Sequence, residues 1–251
     1  MKVFLIAGQS NAVGTSPTDG LEGYVFPDVL LWQAGEFTEE NEKLQNVWLR
    51  GVRPGMGYTP RHSGIELGIC AGLKKGMPRA FVRYAYGTTD LVRDWRSESL
   101  WRALPGKRGD AGWEYLCWKN AFLRAQEAAG EPLEAEGLFF MQGESDAYSR
   151  EGAARYAENL AALLSDMRAF LGRADLPVCI GEIATKVSAY APYAEQVRAG
   201  QRACCARDKN AAWVPSADLP MSDGWHYTAR GAVALGERFA AAMARLTEER
   251  R

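Results

Sequence analysis

Three side chains near the two ends of this 251-residue sequence are of the types that cleave acyl bonds. Asp223 and His226 stand three residues apart in "SADLPMSDGWHYTARG". That tether lets a carboxylate reach the near ring nitrogen of the imidazole, which fixes the tautomer and leaves the far nitrogen to accept a proton. An alcohol delivered to the far nitrogen would complete a base-activated nucleophile. Ser10 is the candidate, in "MKVFLIAGQSNAVG", where the apolar run 3–7 stops at Gly-Gln-Ser-Asn. Each piece alone has a plainer reading: a serine before a helix serves as an N-cap, and Asp and His are common in turns.

Such residues need elements to hold them. The segments 79–86, 136–143 and 176–185 are short β-rich or apolar runs, and 211–216 is a weaker one; with the opening run they read as strands. Tyr156, Leu160, Leu163, Leu164, Met167, Phe170 and Leu171 follow three-and-four spacing, so 151–171 reads as an amphipathic helix. Ala232, Leu235, Phe239, Met243 and Leu246 repeat the pattern, and 64–75, 113–129 and 190–207 are further helical segments. This alternation predicts a three-layer α/β/α domain with a parallel sheet of about five strands. Ligands bind such sheets at the carboxyl ends of the strands. Polar residues gather there: Ser10 after the first run, 87–90 after the second, 142–144 after the third, Asp223 and His226 after the last. Thr228 is placed to cap the final helix. The connections 18–62 and 88–112, rich in Gly, Pro, Trp and charge, read as long active-site loops. With no linker, repeat or low-complexity segment, 1–251 reads as one domain.

Composition narrows the function. At 47% hydrophobic and 24% charged residues the chain is globular, not disordered. A net charge of −1 gives no electrostatic case for nucleic acid or an anionic membrane. Cys70, Cys117, Cys179, Cys204 and Cys205 form no C-x-x-C pair, and two histidines leave little for a metal site, so neither metal nor cofactor is expected. The opening apolar segment is too short for a signal-peptide core. The sequence as it stands reads as cytoplasmic, or as secreted or periplasmic if a leader has been removed.

The glycine-flanked G-x-S-x-G elbow of the α/β hydrolases does not fit, because Ala12 stands where the second glycine belongs. The order of parts, serine first and Asp-x-x-His last, resembles the SGNH (GDSL-like) hydrolases. More narrowly, it resembles the sialate O-acetylesterase-like and acetylxylan esterase group, carbohydrate esterase family six. The matching motifs are G-Q-S-N (8–11), G-x-E (64–66), Y-A-x-G-x-T (84–89) with Asp94-Trp95 beyond, Q-G-E-S-D (142–146) and D-x-x-H (223–226). The resemblance implies a flavodoxin-like sheet and a serine esterase that removes acetyl groups from glycan hydroxyls. It makes Ser10 the nucleophile, His226 the general base and Asp223 its orienter. It assigns the oxyanion hole to the N–H of Ser10, the N–H of Gly87 and the side-chain amide of Gln142. The subgroup's Gly-Gly-Thr reads Gly87-Thr88-Thr89 here, which leaves open whether Gly87 or Thr88 supplies the main-chain donor. Gln9, Asn11, Glu66 and Glu144 are expected to brace the site from behind, and Trp95, Thr88 and Trp225 to touch substrate. Two other functions stay in view: a general short-chain esterase or thioesterase, and a non-catalytic glycan-binding module. Oligomeric state stays open.

Overall fold

The computed structural model describes residues 1–186 and 188–248. The strands are β1 (Lys2–Gly8), β2 (Ser16–Pro17), β3 (Phe26–Gly35), β4 (Trp48–Val52), β5 (His62–Ser63), β6 (Ala80–Ala85), β7 (Glu134–Met141), β8 (Val178–Gly181) and β9 (Ala211–Val214). The helices are α1 (Ser10–Val13), α2 (Glu66–Gly72), α3 (Trp113–Ala129), α4 (Arg150–Phe170), α5 (Ala194–Arg207) and α6 (Ala229–Glu248). Seven strands form one sheet in the order β4-β3-β6-β1-β7-β8-β9. Neighbours are parallel except β4, which runs antiparallel to β3 at one edge.

The five strands expected from sequence are the contiguous run β6, β1, β7, β8 and β9. Segment 18–62, read as a loop, instead contributes β3 and β4. Pro27 and Asp28 interrupt the start of β3, so its apolar part is short and bounded by residues that punctuate loops. β4 is an edge strand with only Val52 buried, which weakens any alternation. Segment 88–112 is irregular apart from one 3-10 turn, Glu98–Leu100.

β1 is central, and its residues Val3 to Ala7 are fully buried, as a strand covered on both faces requires. Phe4 packs against Phe81 of β6 and Phe139 of β7, and Phe139 meets Phe239 of α6 edge-on. On one face α2 and α6 cross closely because glycines line the crossing. A Cβ on Gly68 would lie 1.9 Å from the Val233 carbonyl oxygen, and one on Gly236 would lie 2.2 Å from that of Ile65. The remaining long helices form another layer, where Trp118 and Phe122 of α3 pack on Phe170 of α4, and α4 packs on α5. No described helix is long and apolar enough to cross a membrane.

β1 lies at the switch in connectivity: the chain first builds the sheet on its β6 side and then crosses through α3 to β7 on the other. The crevice of such a sheet opens at the carboxyl end of that strand. Ser10 stands there.

Candidate active site

Gly8 ends β1 at φ 143°, a conformation that side-chain-bearing residues rarely adopt, and a Cβ there would lie 1.9 Å from the Met141 carbonyl oxygen. This close pass between β1 and β7 turns the chain, so that Gln9 takes the N-cap position and Ser10 becomes the first residue of α1. The N-cap reading of Ser10 therefore fails, since Gln9 holds that position and the Ser10 hydroxyl turns to an imidazole instead. Its Oγ lies 3.2 Å from Nε2 of His226, 216 residues away in sequence.

His226 sits in a short loop closed by the bridge between Met221 and Tyr227 and by the Ser222 N–H bonded to the His226 carbonyl. Asp223 Oδ2 is 2.9 Å from Nδ1 of His226, while Oδ1 accepts the main-chain N–H groups of Trp225 (2.6 Å) and His226 (2.7 Å). Burial works against the charge on Asp223, but the His226 ring and those two N–H groups outweigh it, so its pKa falls below the ordinary carboxylate value. Thr228 caps α6 through the Gly231 N–H, as expected. Alcohol, imidazole and carboxylate are thus in line.

The supporting residues divide. Asn11 Nδ2 donates both to Glu144 Oε1 (2.7 Å) and to the Trp225 carbonyl (2.9 Å), clasping the serine turn, the β7 exit and the histidine loop together. Glu144 is 2% exposed, and its Oε2 makes no hydrogen bond. Burial raises its pKa, against lowering by its own N–H, by Asn11 and by the nearby His226. Gln9 Oε1 accepts N–H groups of Gly143 and Ser145. Glu66 belongs elsewhere: its carboxylate takes the Gly64 N–H and pairs with buried Arg83 at 3.1 Å, with no bond to the Ser10 or Gln142 turns.

Two of the candidate oxyanion donors, Gln142 and Gly87, are already engaged within the protein. Gln142 is fully buried, and its Nε2 donates to Asp146 Oδ2 (2.7 Å) and the Thr89 carbonyl (2.9 Å). Those bonds use both amide protons, and Tyr156 donates to the amide oxygen, so no N–H remains for a ligand. The Gly87 N–H donates to Glu36 at the end of β3 (2.8 Å), an acid from the segment read as a loop. A Cβ on Gly87 would nevertheless come within 3.7 Å of Ser10 Cβ, so this turn borders the serine. Thr88, the alternative, is exposed, holds φ 57°, and its N–H makes no hydrogen bond within the described residues.

A pocket of about 170 Å³ opens at the triad, lined by Gln9, Ser10, Thr88, Glu144, Ser145, Tyr148, Trp225 and His226. Thr88 and Trp225 are therefore at the site, as expected. Trp95 is not. It is fully buried, packs edge-on against Tyr84 and Phe140, and donates Nε1 to Thr89 Oγ1. Tyr148 was not singled out from sequence; its ring stacks on Trp225 at 5.1 Å. An aromatic two residues after Q-G-E-S-D is the one sequence cue that pointed to it. Asp146 of that motif also went unassigned. It accepts from Gln142 and from the Leu91 N–H, tying the 88–95 turn to the β7 exit, and burial with Asp90 and Asp94 nearby raises its pKa to about 7. All five cysteines are unbridged, and among the described residues no group of three or more His, Cys, Asp or Glu is placed to hold a metal ion.

A sheet of this order between helical layers makes this an α/β protein, and the family model that fits it places the chain among the esterases. More closely, it belongs to the family described as "carbohydrate esterase, sialic acid-specific acetylesterase", which matches residues 1–245. Among curated proteins none matches the sequence. Among solved structures, a protein from Arabidopsis thaliana is 20% identical with TM-score 0.69, over 97% of this chain and 98% of that one. A carbohydrate acetylesterase from Xanthomonas citri is 17% identical with TM-score 0.70, over 98% of this chain and 56% of that one. NanS is 15% identical with TM-score 0.67, over 99% and 98%. At these identities the likeness is one of fold.

Proposed function

We propose that this protein is a serine-dependent O-acetylesterase that removes acetyl groups from carbohydrate hydroxyls. The observation that carries this reading is the 3.2 Å contact between Ser10 Oγ and His226 Nε2, with Asp223 on the opposite ring nitrogen. Ser10 Oγ attacks the ester carbonyl while Nε2 takes its proton, and the developing imidazolium is held by Asp223. The oxyanion forms against the main-chain N–H groups of Ser10, at the start of α1, and of Thr88; each such donor is typically worth about 3 kcal/mol of barrier. Collapse expels the sugar alkoxide, which takes the proton from His226 and leaves Ser10 acetylated. Water then attacks the acyl-enzyme, giving its proton to the same nitrogen, and acetate leaves with Ser10 restored.

The space at the serine supports a small acyl group. A pocket of about 170 Å³ bordered by Thr88, Tyr148 and Trp225 has room for acetyl. The membership of residues 1–245 in a carbohydrate esterase family supports a sugar as the alcohol. The test pairs acetate release from acetylated xylan, acetylated sialic acid and nitrophenyl esters of rising length with fluorophosphonate labelling. Wild type should label at Ser10 and favour acetyl over longer acyl groups, and Ser10→Ala should do neither. Unchanged ester cleavage by Ser10→Ala would overturn the mechanism, and a wild type that neither labels nor cleaves would favour a glycan-binding role for the crevice.

A further inference from the structure

The pocket at the triad is too small for the substrate just proposed. Ligand sites that enclose a whole small molecule run to about 300–1,000 Å³, and this one is about 170 Å³. The acetyl group fits, and the sugar must lie outside. A second cavity, of about 580 Å³, shares the Trp225 wall with the first. It runs between the segment after β8, with Ala184, Lys186 and Tyr190, and the segment after β9, with Ala217, Met221 and Trp225. Three other cavities share no residue with the triad pocket.

The aromatic side chains of this region are placed unusually for a protein surface. Among the described residues, the large hydrophobic side chains left exposed include two aromatics, Tyr148 (48%) and Tyr190 (76%). Both belong here: Tyr148 stacks on Trp225 in the triad pocket, and Tyr190 lines the larger cleft with Trp225. Exposed rings beside a polar cleft are what the apolar faces of pyranose rings stack against, while hydroxyl groups turn to donors at the rim. Lys186 supplies such donors, since no ion pair engages its amine among the described residues. Asp218, an acceptor, is turned away from this role, since Arg238 donates to both its carboxylate oxygens.

We propose that this cleft is a subsite for the sugar unit next to the acetylated one, so that the preferred substrate is an acetylated oligosaccharide and not an acetylated monosaccharide. The inference rests on the esterase reading above. Trp225 then separates two tasks: one side confines the acyl group, the other seats the neighbouring ring.

The experiment compares acetylated methyl xyloside with acetylated xylotetraose, and free O-acetylated sialic acid with O-acetylated sialyl-lactose, with p-nitrophenyl acetate as the small ester in every assay. Two variants lie outside the triad pocket. Tyr190→Ala removes the exposed ring, and Ala217→Trp fills the cleft from an exposed position. Binding of unacetylated xylotetraose and sialyl-lactose by calorimetry supplies a readout independent of turnover. Wild type should favour the oligosaccharide of the series it hydrolyses by at least tenfold in kcat/KM and bind its unacetylated form. Tyr190→Ala should cost about fivefold to tenfold on that substrate, Ala217→Trp more, and both should change p-nitrophenyl acetate hydrolysis less than threefold. Equal rates on monosaccharide and oligosaccharide, or a preference and binding that survive both variants, would overturn the subsite. Loss of p-nitrophenyl acetate hydrolysis in wild type would instead overturn the esterase reading, and the calorimetry would still decide the cleft.

Discussion

Replacing Asp223 by Asn tests the triad more sharply than deleting the serine, because the surroundings dictate how the new amide must sit. Oδ1 of Asp223 accepts two main-chain N–H groups at 2.6 and 2.7 Å. Only an oxygen satisfies them, so in Asp223→Asn the carbonyl occupies that place and the NH2 group faces Nδ1 of His226. Nδ1 must then accept, the ring proton moves to Nε2, and the nitrogen facing Ser10 Oγ can no longer take a proton. The loss expected from inverting this tautomer is about 10³–10⁴ in kcat, equivalent to about 4–5.5 kcal/mol of barrier. The lower end of that range is expected here, since the Asp223 side chain is half-exposed and water can partly substitute for its charge. Stability should hardly change, because the two main-chain bonds survive. The assay is acetate release with p-nitrophenyl acetate, fluorophosphonate labelling of Ser10, and thermal unfolding on the same preparations. Activity of Asp223→Asn within tenfold of wild type, in a protein that unfolds normally, would refute the assigned role of the acid.

The clasp through Asn11 predicts that Asn11→Ala, which strands buried Glu144 Oε1 and the Trp225 carbonyl, costs about 1–3 kcal/mol in denaturant unfolding. The same change should lower kcat by about 10–100-fold as the histidine loop drifts. Asp146 is expected to make stability depend on pH. Its native pKa of about 7 lies above the ordinary carboxylate value, so between about pH 4 and 7 the native state keeps a proton that the unfolded chain has released. Stability must therefore fall as pH rises through that window, by up to about 1.4 kcal/mol per pH unit, and Asp146→Asn should flatten the slope of unfolding midpoints measured from pH 4 to 8. Thr88 is a β-branched residue at positive φ, so Thr88→Gly should raise the unfolding temperature by about 2–4 °C for about 1 kcal/mol of relieved strain. A fall in kcat of more than 100-fold in that variant would show that the threonine side chain acts, not its N–H. Gly8→Ala, which drives a methyl group into the Met141 carbonyl, should cost more than about 3 kcal/mol and yield little soluble protein.

The parts of this protein that sequence made legible are those written in local periodicity or in short tethers. α3 lies at 113–129 as expected, α4 within one residue of its expected bounds, and the Asp223–His226 pair forms the hydrogen bond that its three-residue spacing allowed. β3 and β4 were missed because a strand starting at Pro-Asp and an edge strand with one buried residue carry little alternation; their stability comes from pairing with β6 and with each other. The engagement of two candidate oxyanion donors was hidden for a different reason. Residue type shows that Gln142 and Gly87 own an N–H, but only the fold shows that Asp146, Thr89 and Glu36 have claimed those protons. Trp95 went wrong the same way: an indole in a loop looks available for a sugar until its ring is found between Tyr84 and Phe140.

The amide of Asn11 joins turns that the ribosome would make far apart in time. A nascent chain that has completed its β6–β1–β7 core still lacks the imidazole, and under the proposed mechanism it cannot attack an ester until the last loop docks against the first turn. Regain of hydrolysis after dilution from denaturant should consequently lag behind regain of tryptophan burial. Nicking the segment before that loop should silence the enzyme while leaving most of its secondary structure in place.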